Sequence, residues 1–110
     1  MAKARLSVAY LVINDQENLK KSLTSVKGLA DEIIVGIDDQ TTDDSLAIAK
    51  KFTSKVFPLP HKENFHLNKS LINKKCTGNW VLSLDADEFV TPPLASTIKY
   101  LLLGRSFGLN

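Results

Sequence analysis

One cysteine, Cys76, in 110 residues excludes an intrachain disulfide and fits a reducing compartment. No excess of one charge exists either: 14 Lys and Arg against 12 Asp and Glu leave +2, which gives no argument for nucleic acid or a charged membrane surface. No apolar run reaches membrane-spanning length. Leu6–Ile13 after a basic start has some features of a signal peptide. Ser7 and Tyr10 interrupt it, and Asn14-Asp15-Gln16-Glu17 stands where small residues would mark cleavage. The expectation is a cytoplasmic protein with no transmembrane segment, with peripheral contact at the inner face of a membrane left open. Glycine is sparse, and Gly36 is solitary, so neither the dinucleotide fingerprint nor the P-loop is met. Repeats, linkers and low-complexity segments are absent, and the length suits one domain over residues 1–110.

What is present is acidic and clustered. Asp15, Glu17, Asp38, Asp39, Asp43, Asp44, Asp85, Asp87 and Glu88 fall in three short stretches. Trp80–Leu84 reads as a buried strand running into Asp85-Ala86-Asp87-Glu88. In an extended segment, side chains two apart share a face, so Asp85 and Asp87 are expected on one side with Cα atoms roughly 6.5–7 Å apart. Such a pair suits Mg²⁺ or Mn²⁺, held by one or two carboxylates and otherwise by substrate phosphates. The plainer alternative is a solvated loop whose acid stabilises the next helix.

Leu6–Ile13 is apolar and β-branched, the pattern of a strand buried on both faces. Asn14 with Glu17 three residues on suggests a capping box for a helix from about Asp15 to Val26, with Leu19, Leu23 and Val26 inward. A second strand over Glu32–Ile37 ends at Asp38-Asp39. Thr42 is then expected to cap a helix with Asp43 and Asp44 in its first turn and Leu46, Ala49 and Phe52 inward. Lys55–Phe57 is a weak third strand, and Pro58 opens an irregular loop to about Phe65. Leu67, Leu71 and Ile72 mark a short helix ending at Thr77-Gly78. Pro92-Pro93 begins a last one, with Leu94, Ile98, Leu101 and Leu102 inward and Gly104 as its stop.

Strand–helix alternation of this kind implies a parallel sheet with helices on both faces, in the order 3-2-1-4. Ligands bind such sheets beyond the carboxyl ends of the strands, where the order reverses. That rim gathers Asn14, Asp38, Asp39, Asp85 and Asp87. So many carboxylates repel one another unless a cation or hydrogen-bond donors offset them. His61, Glu63 and His66 do not match a helical zinc pattern and read as a solvated or substrate-side loop. Cys76 reads as a packed residue, and Trp80 as core.

Leu6–Asn14 with Glu17-Asn18-Leu19, then Asp31–Val35 leading to Asp38–Asp43, then Thr77–Glu88, resembles the family 2 glycosyltransferases of GT-A fold, over about Leu6 to Leu94. The resemblance implies the N-terminal, nucleotide-sugar-binding half of such an enzyme, a Rossmann-like half-fold. It places Ile13, Asn14, Glu17, Asp38, Asp39, Lys69 and Asp85 at the donor, with Asp87, assisted by Asp85, on a divalent cation, Mg²⁺ or Mn²⁺, that bridges the diphosphate. Inverting transfer to an acceptor is implied; the general base belongs to a second half with no counterpart after about Leu103. Two departures stand out. Gln40 replaces a usual Gly, which would alter the turn, and Lys69-Ser70 replaces Arg-Asn, which loses bidentate recognition. The exposed fourth strand and last helix suggest a homo-oligomer. A non-catalytic nucleotide-sugar or metal-binding module is the alternative. A receiver-like signalling domain would need an Asp at the end of strand three, and Lys55-Val56-Phe57-Pro58 has none.

Overall fold

The computed structural model describes residues 4–61 and 65–104. Four strands, β1 (Leu6–Val12), β2 (Glu32–Asp38), β3 (Val56–Leu59) and β4 (Trp80–Asp85), alternate with four helices, α1 (Gln16–Val26), α2 (Ser45–Phe52), α3 (Phe65–Lys74) and α4 (Pro92–Leu102). All strand pairs are parallel, and the sheet order is β3-β2-β1-β4. Every residue of β1 is buried, as its unbroken apolar run requires of the central strand.

The two-residue period of β1 divides the core. Leu6, Val8, Tyr10 and Val12 face one side, where Leu19, Leu23 and Val26 of α1, Ala49 of α2 and Leu102 of α4 pack over them. Ala9 and Leu11 face the other, against Ile34, Leu59 and Ile72 of α3. Burying each such aliphatic side chain contributes about 1.5–3 kcal/mol. Cys76 packs beside this second cluster; burial, with Glu32 nearby, pushes its thiol up, so it stays protonated and serves as packing.

A buried polar network ties the amino ends of the strands. Glu32 accepts from Ser7 Oγ at 2.7 Å, Thr77 N at 2.8 Å and Thr77 Oγ1 at 3.0 Å, and pairs with Lys55. Burial pushes the Glu32 carboxyl up, but these partners together outweigh it and hold the group at about 2. Ser7 Oγ in turn accepts the Gly78 N–H at 2.8 Å, a close approach that only glycine allows.

Several expectations are corrected. Pro58 and Leu59 belong to β3, because β3 is an edge strand and a proline there removes no ladder bond. Leu46, Leu67, Leu71 and Leu94 are exposed, so α2, α3 and α4 bury fewer of their apolar residues than periodicity implies. Trp80 is 55% exposed and Val81 43%, because β4 is the other edge and half its side chains lack a covering layer. The capping box does not form: Asp15 precedes α1 with no side-chain cap, and Thr42 does not cap α2. Both helices are capped from each other's loops instead. Thr91 does cap α4, and Gly104 stops it at φ +80°.

Candidate functional site

Parallel strands bring their carboxyl ends to one rim. Asp85 at the end of β4 lies opposite Leu11, Ile37 lies opposite Val12, and Asp38 lies opposite Leu59, so Asp38 and Asp85 flank the end of β1. The order reverses at β1, which makes this rim the switch point.

The first rim loop begins with Ile13, 44% exposed, and Asn14 at φ +44°, the left-handed region that asparagine tolerates. Asn14 Oδ1 accepts the N–H groups of Thr42 at 2.8 Å and Asp43 at 3.2 Å, so this side chain staples the loop after β2 to the end of β1. Asp43 Oδ2 accepts the Gln16 N–H at 3.1 Å, and Asp43 Oδ1 that of Ser45 at 2.9 Å. Burial pushes Asp43 up, but hydrogen bonds from Ser45 and Gln16 outweigh it and hold the group below its ordinary value. Glu17 stands apart, exposed on the outer face of α1 in a shallow hollow with Lys20, Lys21 and Thr24.

At the end of β2, Asp38 is buried and Asp39 exposed. Asp38 Oδ1 accepts the Gln40 N–H at 2.9 Å, and its backbone oxygen accepts the Thr41 N–H at 2.9 Å. Among the described residues only Asn14 of the non-glycines has positive φ, so Gln40 needs no glycine conformation and its substitution leaves the turn intact. His61 closes over both acids: its Nδ1 lies 2.7 Å from Asp38 Oδ2, and its N–H reaches Asp39 Oδ1 at 3.1 Å. The His61–Asp38 pairing shows no spacing signal, because 23 residues separate the partners. Of the other members of that loop, Glu63 lies outside the described residues, as does the His66 side chain.

The acidic segment after β4 is a turn, not an extension of the strand. The Glu88 N–H reaches Asp85 O at 3.0 Å and Glu88 Oε1 accepts the Asp85 N–H at 2.7 Å, closing a loop over Asp85–Glu88. The expected extended spacing of Asp85 and Asp87 is therefore not kept. Ala86 is buried and Asp87 faces solvent. Two serines of α1 fix this turn: Ser22 Oγ donates to Glu88 O, and Ser25 Oγ accepts the Val90 N–H at 3.0 Å. Tyr10 OH is 2.7 Å from Ser22 Oγ. Because Ser22 spends its proton on the carbonyl, Tyr10 is the donor to Ser22. Burial, only partly opposed by the Ser22 bond, pushes the Tyr10 hydroxyl up to about 12, which keeps that proton in place.

Hydrogen-bond donors thus offset much of the rim's negative charge, one of the two ways expected for so many carboxylates. Asp85 is offset by a cation instead: its Oδ1 is buried with no hydrogen-bond partner among the described residues, and Lys69 Nζ pairs with it at 3.4 Å. Thr41 Oγ1 and Asn68 Oδ1 are the other buried side-chain oxygens without partners among the described residues. All three lie at this rim. No group of three or more His, Cys, Asp or Glu converges among the described residues, so no metal cage is prebuilt. Asp85 and Asp87 offer hard carboxylate oxygens, those of Asp87 facing solvent, and that donor set fits a cation completed by phosphate oxygens and water.

The glycosyl transferase family 2 model matches residues 7–102. Uncharacterized glycosyltransferases of Rickettsia conorii and Rickettsia typhi are 34% and 33% identical over 102 residues, covering 93% of this chain and 36% and 34% of theirs. The chain spans about a third of the length of these relatives. Glucosyl-3-phosphoglycerate synthase from Mycobacterium tuberculosis, solved with Mn²⁺, uridine diphosphate and phosphoglyceric acid, superposes with a TM-score of 0.65 at 23% identity. The match covers 90% of this chain and 39% of that one, and shows a shared GT-A fold. No helix among the described residues is long and apolar enough to cross a membrane.

Proposed function

Because the chain belongs to glycosyl transferase family 2, we propose that its carboxyl-end rim binds a nucleotide-diphosphate sugar through a divalent cation, as the donor-binding domain of a sugar-transferring enzyme. The observation that supports this most is the pairing of Asp85 Oδ1, which makes no hydrogen bond, with Lys69 at 3.4 Å at the head of the Asp85–Glu88 turn, a carboxylate and a cation side by side on this rim. Asp87 and Asp85 would hold Mg²⁺ or Mn²⁺. Lys69 would face the diphosphate, while Asp38 and Asp39, with Ile13 and Asn14, would meet the nucleoside. Glu17, on the outer face of α1, has the weakest geometric support of the donor-site residues.

A bound cation supplies Lewis-acid neutralisation of charge on the departing nucleoside diphosphate. The chain's own residues position the donor: Asn14 and Asp43 hold the two loops that frame the nucleoside end, and Ser22 and Ser25 hold the acidic turn. Transfer with inversion, the acceptor and the general base are assigned to no residue of this stretch. The alternative of a module that binds without turnover makes a different prediction, namely no transfer or hydrolysis under any condition.

A thermal-shift series with Mn²⁺ and UDP, GDP or a sugar nucleotide tests the proposal. A ligand at a hundred times its Kd adds about 2.7 kcal/mol, on the order of 10 °C for a domain of this size. The expected result is a metal-dependent shift for one nucleotide, lost in Asp87→Asn. An unchanged melting temperature with all of them would contradict it.

A further inference from the structure

We propose that His61 is a positioning residue of the nucleoside end, holding the Asp38 carboxylate in the orientation that receives the donor; this rests on the donor-site reading above. Asp38 is buried and ends β2, yet no residue next to it in sequence fixes its outer oxygen. His61 does so from the end of β3, with Nδ1 at 2.7 Å from Oδ2. An ionised carboxylate only accepts, so Nδ1 carries a proton and donates it. With the Gln40 N–H on Oδ1, each Asp38 oxygen then has one fixed donor and keeps lone-pair capacity for a ligand.

His61 is itself held from several sides, which separates it from a surface histidine resting on an acid. Asp39 Oδ1 takes its backbone N–H at 3.1 Å, and Leu59 O takes the Asp39 N–H at 2.8 Å. From the opposite side Asn68, 3% exposed on α3, donates Nδ2 to Pro60 O at 3.0 Å. Pro60 has a fixed φ and offers no N–H of its own. The ends of β2 and β3 and one turn of α3 thus share a single arrangement, in which the His61 side chain reaches the Asp38 carboxylate. Thr41 joins the same corner through its N–H, which Asp38 O accepts at 2.9 Å. Positioning of this kind acts by removing conformational freedom from a binding group before the ligand arrives.

Calorimetric titration of UDP with Mn²⁺ present, on wild type, His61→Ala and His61→Asn, decides the matter. Asparagine places an N–H donor where the imidazole has Nδ1, so it conserves the bond to Asp38 without the ring. The expected result is about a tenfold loss of UDP affinity in His61→Ala, recovery to near wild type in His61→Asn, and equal Mn²⁺ affinity without nucleotide in all three. Equal UDP affinity in wild type and His61→Ala overturns this inference and leaves the donor-site reading standing. So does a loss of the same size in both variants. Failure of wild type to bind UDP or GDP with Mn²⁺ overturns both. Independent of any ligand, long-range proton–nitrogen spectra at neutral pH should show the Nδ1–H tautomer of His61; the Nε2–H form contradicts the inference.

Discussion

Asp43 and Gln16 cap each other's helices: Asp43 Oδ2 accepts the Gln16 N–H at 3.1 Å, while Gln16 Oε1 accepts the Asp44 N–H at 2.8 Å. Ser45 Oγ adds a bond from the Asp15 N–H at 3.3 Å. The loops after β1 and β2 therefore form one hydrogen-bonded unit, and α1 and α2 start from it. Asp43→Ala should cost about 1–3 kcal/mol in urea unfolding, since it uncaps two helices and strands the Gln16 and Ser45 donors. A cost below a few tenths would show that water replaces these bonds freely. Because the folded carboxyl is held below its ordinary value, this contribution is full at neutral pH and fades as pH falls through the folded value.

Glu32 gives a second acid-sensitive contribution, at the opposite pole of the sheet. Its carboxyl is held at about 2 against an ordinary 4.5, so its stabilisation is complete above pH 4.5 and is lost progressively down to about pH 2. The size is about 2–3 kcal/mol, taken at the low end because Lys55 is half exposed and screened. Glu32→Gln should flatten the stability profile over that window, as measured by denaturation at a series of pH values.

Ser22 tests the tether of the acidic turn. Ser22→Ala leaves the Tyr10 hydroxyl and the Glu88 carbonyl without partners in the core, a cost of about 1–3 kcal/mol. Tyr10→Phe removes only the outer donor and should cost less, about 1 kcal/mol. The reverse ranking in chemical denaturation would mean that Ser22 is bonded in some other way.

Two glycines should differ in the same experiment. A Cβ at Gly78 would meet Ser7 N at 2.8 Å and Arg5 O at 2.9 Å, both backbone atoms that cannot step aside. A Cβ at Gly36 would meet the Ile72 and Leu59 methyls at 2.7 and 2.8 Å, which can shift at an overpacking cost of about 1–3 kcal/mol. Gly78→Ala should therefore be the more damaging. It also breaks the Gly78–Ser7–Glu32 network.

Elements and their order in the sheet could be read from the sequence, and side-chain links between elements could not. The continuous Leu6–Val12 run disclosed the central strand, and strand–helix alternation disclosed the sheet order. Asn14 has the spacing of a helix cap, with Glu17 three residues on, yet its oxygen is taken by N–H groups 28 and 29 residues away. The apolar neighbours of Trp80 suggest core, but burial of a strand depends on what covers it, and β4 is an edge. The acidic strand ends were visible as clusters. The groups that hold them were not: His61 reaches Asp38, and Ser22 reaches the Glu88 carbonyl, each from another element.

The central claim is that this rim binds a nucleoside diphosphate through a cation held by Asp87 and Asp85. Calorimetric titration of UDP and GDP into the chain, with Mn²⁺ and then with chelator, tests it most directly. Saturable binding of one nucleotide with Mn²⁺, abolished by chelator and weakened at least tenfold in Asp87→Asn, is the expected result. Binding that is equally strong with chelator, or equally strong in Asp87→Asn, would contradict it.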